Sequence, residues 1–471
     1  MAVFYNAGET KVRPGVYQRH TNVGFDTLTG AQDGICAIPV KASWGPLGKV
    51  IRNTLASELT KNYGNGVYGA GYTVPAAEAM FKGGASIVYT YRLGAGGTAA
   101  KLDMSGLTVT AKYVGKMPIS VAVQEKLGDA SRKQFLVYAG TTLVEKFEFA
   151  AGTGEGAALM AAAAASNYVV LSAETAPETV PVLAVASGKL TGGADPVVTN
   201  ADYSAAFAAL EPYYYNVIAL DVDDDANMTL SLLLQSYLAN AYQLGKLGVA
   251  VVGEKTSVDF ATRCKHARAF NDAKVVYLGG GYMSGTESKD GVMAICHTAG
   301  VIASTPANQG ITHAVITGAT DLCESLTYAQ YEDAILAGML MVSMSPDGSI
   351  WYDSAINTLT SPETGTQDDG WKKIRRVKVR FEMIDRLDRV LMPKVGRVSA
   401  NSDGVADVVQ AGQRILDAMV TEGKLAAGAS FSADPANPLA GDSAWFIIQA
   451  DDIDSLEKIY LQYQFRYSQN A

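Results

Sequence analysis

The 471-residue chain is poor in the side chains that do chemistry: it has four histidines, four cysteines and four tryptophans. Cys36, Cys264, Cys296 and Cys323 are too few and too scattered for a disulfide framework, and reduced thiols and cytosolic synthesis are expected. The opening MAVFYNAGETKVRPG holds no apolar core of a signal peptide. Residues 227–245 carry polar groups at helical spacing and 291–320 are broken by Pro306 and glycines, so neither is a membrane span. Positive charge is also in deficit. A formal net charge of −9 argues against general affinity for nucleic acid or anionic membrane. No 20–50-residue repeat occurs, which excludes a solenoid.

Catalytic motifs are missing as well. GNGVYG (64–69) has the glycine spacing of a dinucleotide loop, but a helical pattern precedes it and no acid lies between Glu78 and Asp103. DVDDDAN (221–227) opens like a calcium loop, yet Ala226 stands where glycine is needed and Leu232 where a bidentate glutamate is needed. An acidic loop after a parallel strand is the better reading. Cys264, His266, Cys296 and His297 lack zinc spacing and read as core thiols and surface imidazoles on amphipathic helices. There is no G-x-S-x-G; GYMSG (281–285) places its serine one position late, and His20 and His313 have no motif around them. No catalytic residue, cofactor or metal ligand is assigned.

What is present is apolar material for large cores, 48% of residues against 18% charged, in a chain long enough for several domains. Short β-rich runs at 107–115, 119–124, 134–140, 143–149 and 168–174 suggest a sandwich-like insert. Strand patterns at 216–221, 248–254 and 273–280 alternate with helical ones, the rhythm of a parallel sheet covered on both faces. Beyond 346, IRRVKVRFE (374–382) alternates Val377, Val379 and Phe381 with Lys378, Arg380 and Glu382 and reads as a strand. A helix is expected at 403–421 and a strand at 444–450. The basic run Lys372, Lys373, Arg375, Arg376, Lys378 and Arg380 reads either as a solvated strand face or as a docking surface for an acidic partner. Ile459, Leu461, Tyr463, Phe465 and Tyr467 alternate with polar and amphipathic residues close to the last residue, Ala471. A strand so patterned must pair, within its own sheet or with a neighbouring chain.

The order of several segments resembles that of the contractile tail sheath proteins of bacteriophages and related phage-tail-like injection particles. These are KVRPGVY (11–17), MFKGGASIVYTYRL (80–93), VTAKYVG (109–115), KLTGGAD (189–195), AGVIASTPANQGIT (299–312), INTLTS (356–361) and GRVSANSDG (396–404), completed by the terminal strand. VTAKYVG departs from many relatives in being followed by MPIS where they have Gly-Asn, and Lys82 replaces a small polar residue.

The resemblance implies an α/β and α+β multidomain chain. An inner domain would be built from both chain ends, 1–95 with an N-terminal arm and 346–471 with a terminal exchange strand. A subtilisin-like α/β domain lacking a catalytic triad would span 191–345, and a β-sandwich outer insert 96–190. It also implies a structural subunit of a helical sheath around an inner tube, with baseplate and tail terminator proteins as further partners. Such a chain would be assembled in the host cytoplasm into a virion tail or similar particle, without direct nucleic-acid contact or membrane insertion. Inter-subunit strand exchange would fall on Val12, Gly15, Val16 and Tyr17 and on Ile459, Leu461, Tyr463, Phe465 and Tyr467. The six cations of 372–380 are candidates to face the tube. The alternative from another class is an α/β hydrolase or dehydrogenase with an appended β domain, supported only by the 191–345 pattern.

Overall fold

The computed structural model describes residues 3–4, 17–18, 33–64, 71–104, 106–182, 184–223 and 228–465. At its centre stands a seven-stranded sheet. Its order, by first residue, is Met339, Val275, Val249, Val217, Ile35, Ile87 and Val50. All neighbours run parallel except the edge strand Val50–Asn53, which is antiparallel to Ile87–Arg92. Side chains alternate between two cores, as a doubly covered sheet requires. From Ile35–Val40, Cys36, Ile38 and Val40 enter one apolar cluster, and Ile35 and Ala37 enter the other. Helices Val74–Lys82 and Val292–Ser304 cover the first face. Helices Asn200–Leu210, Thr229–Gln243 and Phe260–Phe270 cover the second.

The sheet draws strands from both sides of the 96–190 insert. Ile35–Val40, Val50–Asn53 and Ile87–Arg92 come from the segment assigned to an inner domain, yet they pair in the α/β layer. Ile35–Val40 is the neighbour of Val217–Ala219 across an excursion of the chain. Such long-range pairing leaves no mark in local periodicity.

That excursion carries a four-stranded antiparallel sheet (Ile119–Lys126, Asp129–Ala139, Thr142–Ala150, Val185–Lys189) and a three-stranded one (Lys101–Met104, Leu107–Ala111, Val169–Ala173). They share one apolar cluster, into which Trp44 of the body inserts against Tyr113 and Tyr168. Arg92, fully buried, locks the joint. Its guanidinium donates to the carbonyls of Ala42 (2.9 Å), Gly45 (2.6 Å) and Val114 (2.8 Å).

The MFKGGAS motif also acquires a cause. Helices Val74–Lys82 and Val292–Ser304 cross so closely that a Cβ on Gly83 would lie 2.1 Å from the His297 carbonyl oxygen, and one on Gly300 2.1 Å from that of Met80. Only glycine fits at either position.

The C-terminal part packs helices Ile374–Leu391 and Ser402–Thr421 against a two-stranded hairpin, Ser430–Ala433 with Phe446–Gln449. Residues 374–382 are therefore helix and not strand. Ile374, Val377 and Phe381 face the sheet core, while Val379 and Leu387 face the cluster built by the second helix and the hairpin. A helix wedged between two cores presents apolar side chains on two sides, and that imitates a period of two.

Candidate interaction surfaces

Ligand sites in open α/β sheets lie outside the carboxyl ends of the strands, and here that rim is lined by acids. Asp221, just past Val217–Ala219, is buried and accepts hydrogen bonds from Tyr203 Oη and Thr73 Oγ1, both at 2.6 Å. Burial raises its carboxyl above the ordinary range despite Lys41 at 3.8 Å. Asp223 accepts from the Val292 amide at the start of the next helix and pairs with Lys255 at 2.8 Å. Glu254 is held by Tyr277 Oη and by His266 Nδ1 at 2.8 Å. These acids fasten helices and strands to one another. The acidic-loop reading of Asp221–Asp223 agrees with this; the rest of that loop and GNGVYG from Asn65 on lie outside the described residues.

Cys264 and Cys296 lie in clusters on opposite faces of the sheet, and both are buried. His297 is buried as well, contrary to the surface position expected for it. Desolvation there, with Lys82 adding to it, lowers its pKa to about 4, so the ring is neutral beside Tyr352 and Tyr282. Among the described residues no group of three His, Cys, Asp or Glu side chains could hold a metal ion, and no helix is long and apolar enough to cross a membrane.

Of the six cations of 372–380, Arg375, Arg376, Lys378 and Arg380 lie on the helix Ile374–Leu391 and Lys372 and Lys373 just before it, and their charges are engaged inside the chain. Lys372 pairs with Asp369 at 2.9 Å, Lys373 with Glu457, and Arg375 donates to Ser455 Oγ at 3.0 Å. Arg376 forks onto Asp452 at 2.6 and 2.8 Å. Arg380 reaches Asp452 at 3.1 Å and Asp368 at 3.0 Å, with its guanidinium 4.5 Å from the Trp371 ring centroid. Lys378 turns its amine inward onto the carbonyls of Ile302 and Thr305, and desolvation lowers its pKa to about 8. Burial alone would raise Asp452, but the hydrogen bonds and charges of Arg376 and Arg380 outweigh it and hold that carboxyl below its ordinary value. The open cationic face suggested by the sequence is thus covered by residues 452–457. The signal was the acid-rich DDIDSLEK of 451–458, whose match to the basic run was not drawn from the sequence.

Ile459, Leu461, Tyr463 and Phe465 stand 71%, 69%, 72% and 93% exposed, in no strand of their own chain. Tyr467 lies outside the described residues, as do Val12, Gly15 and Val16. Tyr17–Gln18 pairs in parallel with Val3–Phe4. Among the described residues the hairpin of residues 430–449 is a two-stranded sheet, so each strand keeps an outer edge. Arg92 was the structural residue that sequence reasoning passed over, although it closes the MFKGGASIVYTYRL motif.

The geometry thus leaves sheet edges without a partner among the described residues, and known proteins share the fold. Residues 197–358 match the family described as the phage tail sheath protein central domain. XkdK of the phage-like element PBSX from Bacillus subtilis is 23% identical over 450 residues, covering 89% of this chain and 88% of its own. The sheath tail protein of Desulfitobacterium hafniense superposes with a TM-score of 0.72 at 22% identity, covering 93% of this chain and all of its own. The contracted helical sheath of the anti-feeding prophage gives a TM-score of 0.55 at 12% identity over 97% of this chain and 99% of its own. Residues 197–358 thus match the central domain of the phage tail sheath proteins, and the fold across nine-tenths of the chain is that of the Desulfitobacterium hafniense sheath tail protein.

Proposed function

We propose that the chain is the subunit of a contractile sheath, polymerising helically around an inner tube and shortening to drive that tube through a target envelope. One observation carries the reading: among the described residues the alternating segment 459–465 is exposed and in no strand, and the hairpin of residues 430–449 pairs with no further strand. A strand of this length lent to a neighbour makes roughly four to six backbone hydrogen bonds, each contributing on the order of 1 kcal/mol net, and buries its apolar face as well. Such joints hold while more polar contacts between bodies exchange. The extended sheath is then a kinetically trapped packing whose energy is stored at assembly.

The finer assignments belong to the same proposal. The central unit is a subtilisin-like α/β domain without a triad, and residues 96–190 form a β-sandwich turned outward. The C-terminal helices and hairpin, with the N-terminal arm, form the inner unit. Lending falls on 12–17 and 459–467. Because the charges of 372–380 are engaged within the chain, tube contact is assigned to neighbouring faces of the inner unit. Baseplate and terminator proteins cap the assembly, which forms in the host cytoplasm.

Negative-stain microscopy of the intact chain and of chains lacking 1–20 or 459–471 tests this. Striated tubes from the intact chain alone are expected; monodisperse particles unchanged by either truncation would overturn it. Tubes of a single diameter under all conditions would indicate a static shell.

A further inference from the structure

Residues 451–457 follow the hairpin and precede the exposed terminal segment, and they run along the helix Ile374–Leu391. Two backbone hydrogen bonds set their course, from the Ala426 amide to the Asp451 carbonyl (2.8 Å) and from the Ile453 amide to the Lys424 carbonyl (3.0 Å). Asp452, Ser455 and Glu457 turn toward the helix and meet Arg376 and Arg380, Arg375, and Lys373 respectively. Thr312 Oγ1 adds a hydrogen bond to Glu457 at 2.9 Å. The ions are partly withdrawn from water, with side-chain exposures of 21% for Arg376, 15% for Arg380 and 7% for Asp452. They are therefore screened less than a surface pair would be. From Lys458 onward every described residue is exposed.

We infer that residues Asp451–Glu457 are an electrostatic strap, that the basic run on the Ile374–Leu391 helix exists to fasten it, and that the hinge of the terminal strand falls at Lys458. The strap has a purpose only under the sheath reading, whereas its existence is independent of it. A strand lent to a neighbour pulls on its root whenever the two bodies shift. An unfastened root would let 451–458 peel from the body and would lengthen the tether by up to about 3.3 Å per freed residue. The strap passes the pull into a helix wedged between two cores, and only the segment beyond Glu457 swings. Several ion pairs acting on one short segment also make docking cooperative, so the root is either fastened or released.

The test is amide hydrogen exchange on the purified full-length chain and three variants: Arg376→Glu, Asp452→Arg and the double reversal. Each single reversal is expected to speed exchange at Ile453 and its neighbours by about tenfold or more while the helix core stays protected, and the double reversal restores part of the protection, since Arg380 still faces position 452. Arg376→Gln, which creates no repulsion, is expected to act in the same direction more weakly. Single variants with unchanged exchange over 451–457, or a double reversal that stays unprotected while its helix remains protected, would overturn the strap. Tube formation is scored separately on the same samples. An intact chain that shows the protected strap but never assembles counts against the sheath reading alone.

Discussion

Arg92 has the clearest single role in the molecule. Its side chain bonds three buried or part-buried carbonyls at the junction of body and insert. Arg92→Ala leaves those acceptors unpaired and is expected to cost on the order of 3 kcal/mol or more in chemical denaturation. Arg92→Lys recovers little, because an ammonium cannot copy the planar fork. Gly300→Ala drives a Cβ into the Met80 carbonyl and should destabilise by roughly 1–3 kcal/mol, read in the same way. His297 governs part of the pH response. Its folded-state pKa of about 4 lies below the unfolded value near 6.5, so the neutral ring's contribution is complete above about pH 6.5. That contribution is lost progressively as pH falls toward 4, and in total amounts to on the order of 3 kcal/mol. Replacing His297 by Gln should flatten the dependence between pH 6.5 and 4. Asp452 acts lower still. Its depressed pKa means that the ion pairs with Arg376 and Arg380 persist above an unfolded value near 3.9 and fail only as pH drops through the folded one.

Among elements, the helix Ile374–Leu391 explains both what could be read from the sequence and what could not. Several strands of the central sheet and the insert were legible because they bury residues at simple alternation or in a continuous apolar run, as in Leu107–Ala111 and Val249–Gly253, whereas Val50–Asn53, Lys101–Met104 and Met339–Leu340 are too short to show either. Residues 374–382 misled for a physical reason: two cores on two sides of one helix place Val377, Val379 and Phe381 in apparent alternation. Their cations were equally ambiguous. A local pattern can show that Arg376 and Arg380 lie near each other, but not that Asp452, some seventy residues on, neutralises both. The helix reading makes its own prediction. Phe381→Ala opens a cavity against the sheet core and should cost about 3–5 kcal/mol by denaturant titration. The lysine or glutamate equivalents at exposed Asp388 should cost less than about 0.5 kcal/mol. The membership of Ile35–Val40 and Ile87–Arg92 in the central sheet was hidden for a different reason, since their partners at Val217–Ala219 enter only after the insert.

At the scale of the whole molecule, the chain closes three apolar units around the body, the insert and the C-terminal helices, yet leaves a patterned segment in solvent. Under the sheath reading the work comes from a change of packing between copies, while Asp221, Asp223 and Glu254 at the sheet rim fasten helices to strands. The measurement that tests this most directly is a cryo-electron microscopy reconstruction of tubes assembled from the intact chain. The account predicts residues 459–465 as a strand added to the Ser430–Ala433/Phe446–Gln449 hairpin of a different copy, with 451–457 still lying on their own helix. Density showing 459–465 folded back into the sheet of the same copy, with copies joined only through side chains, would contradict it.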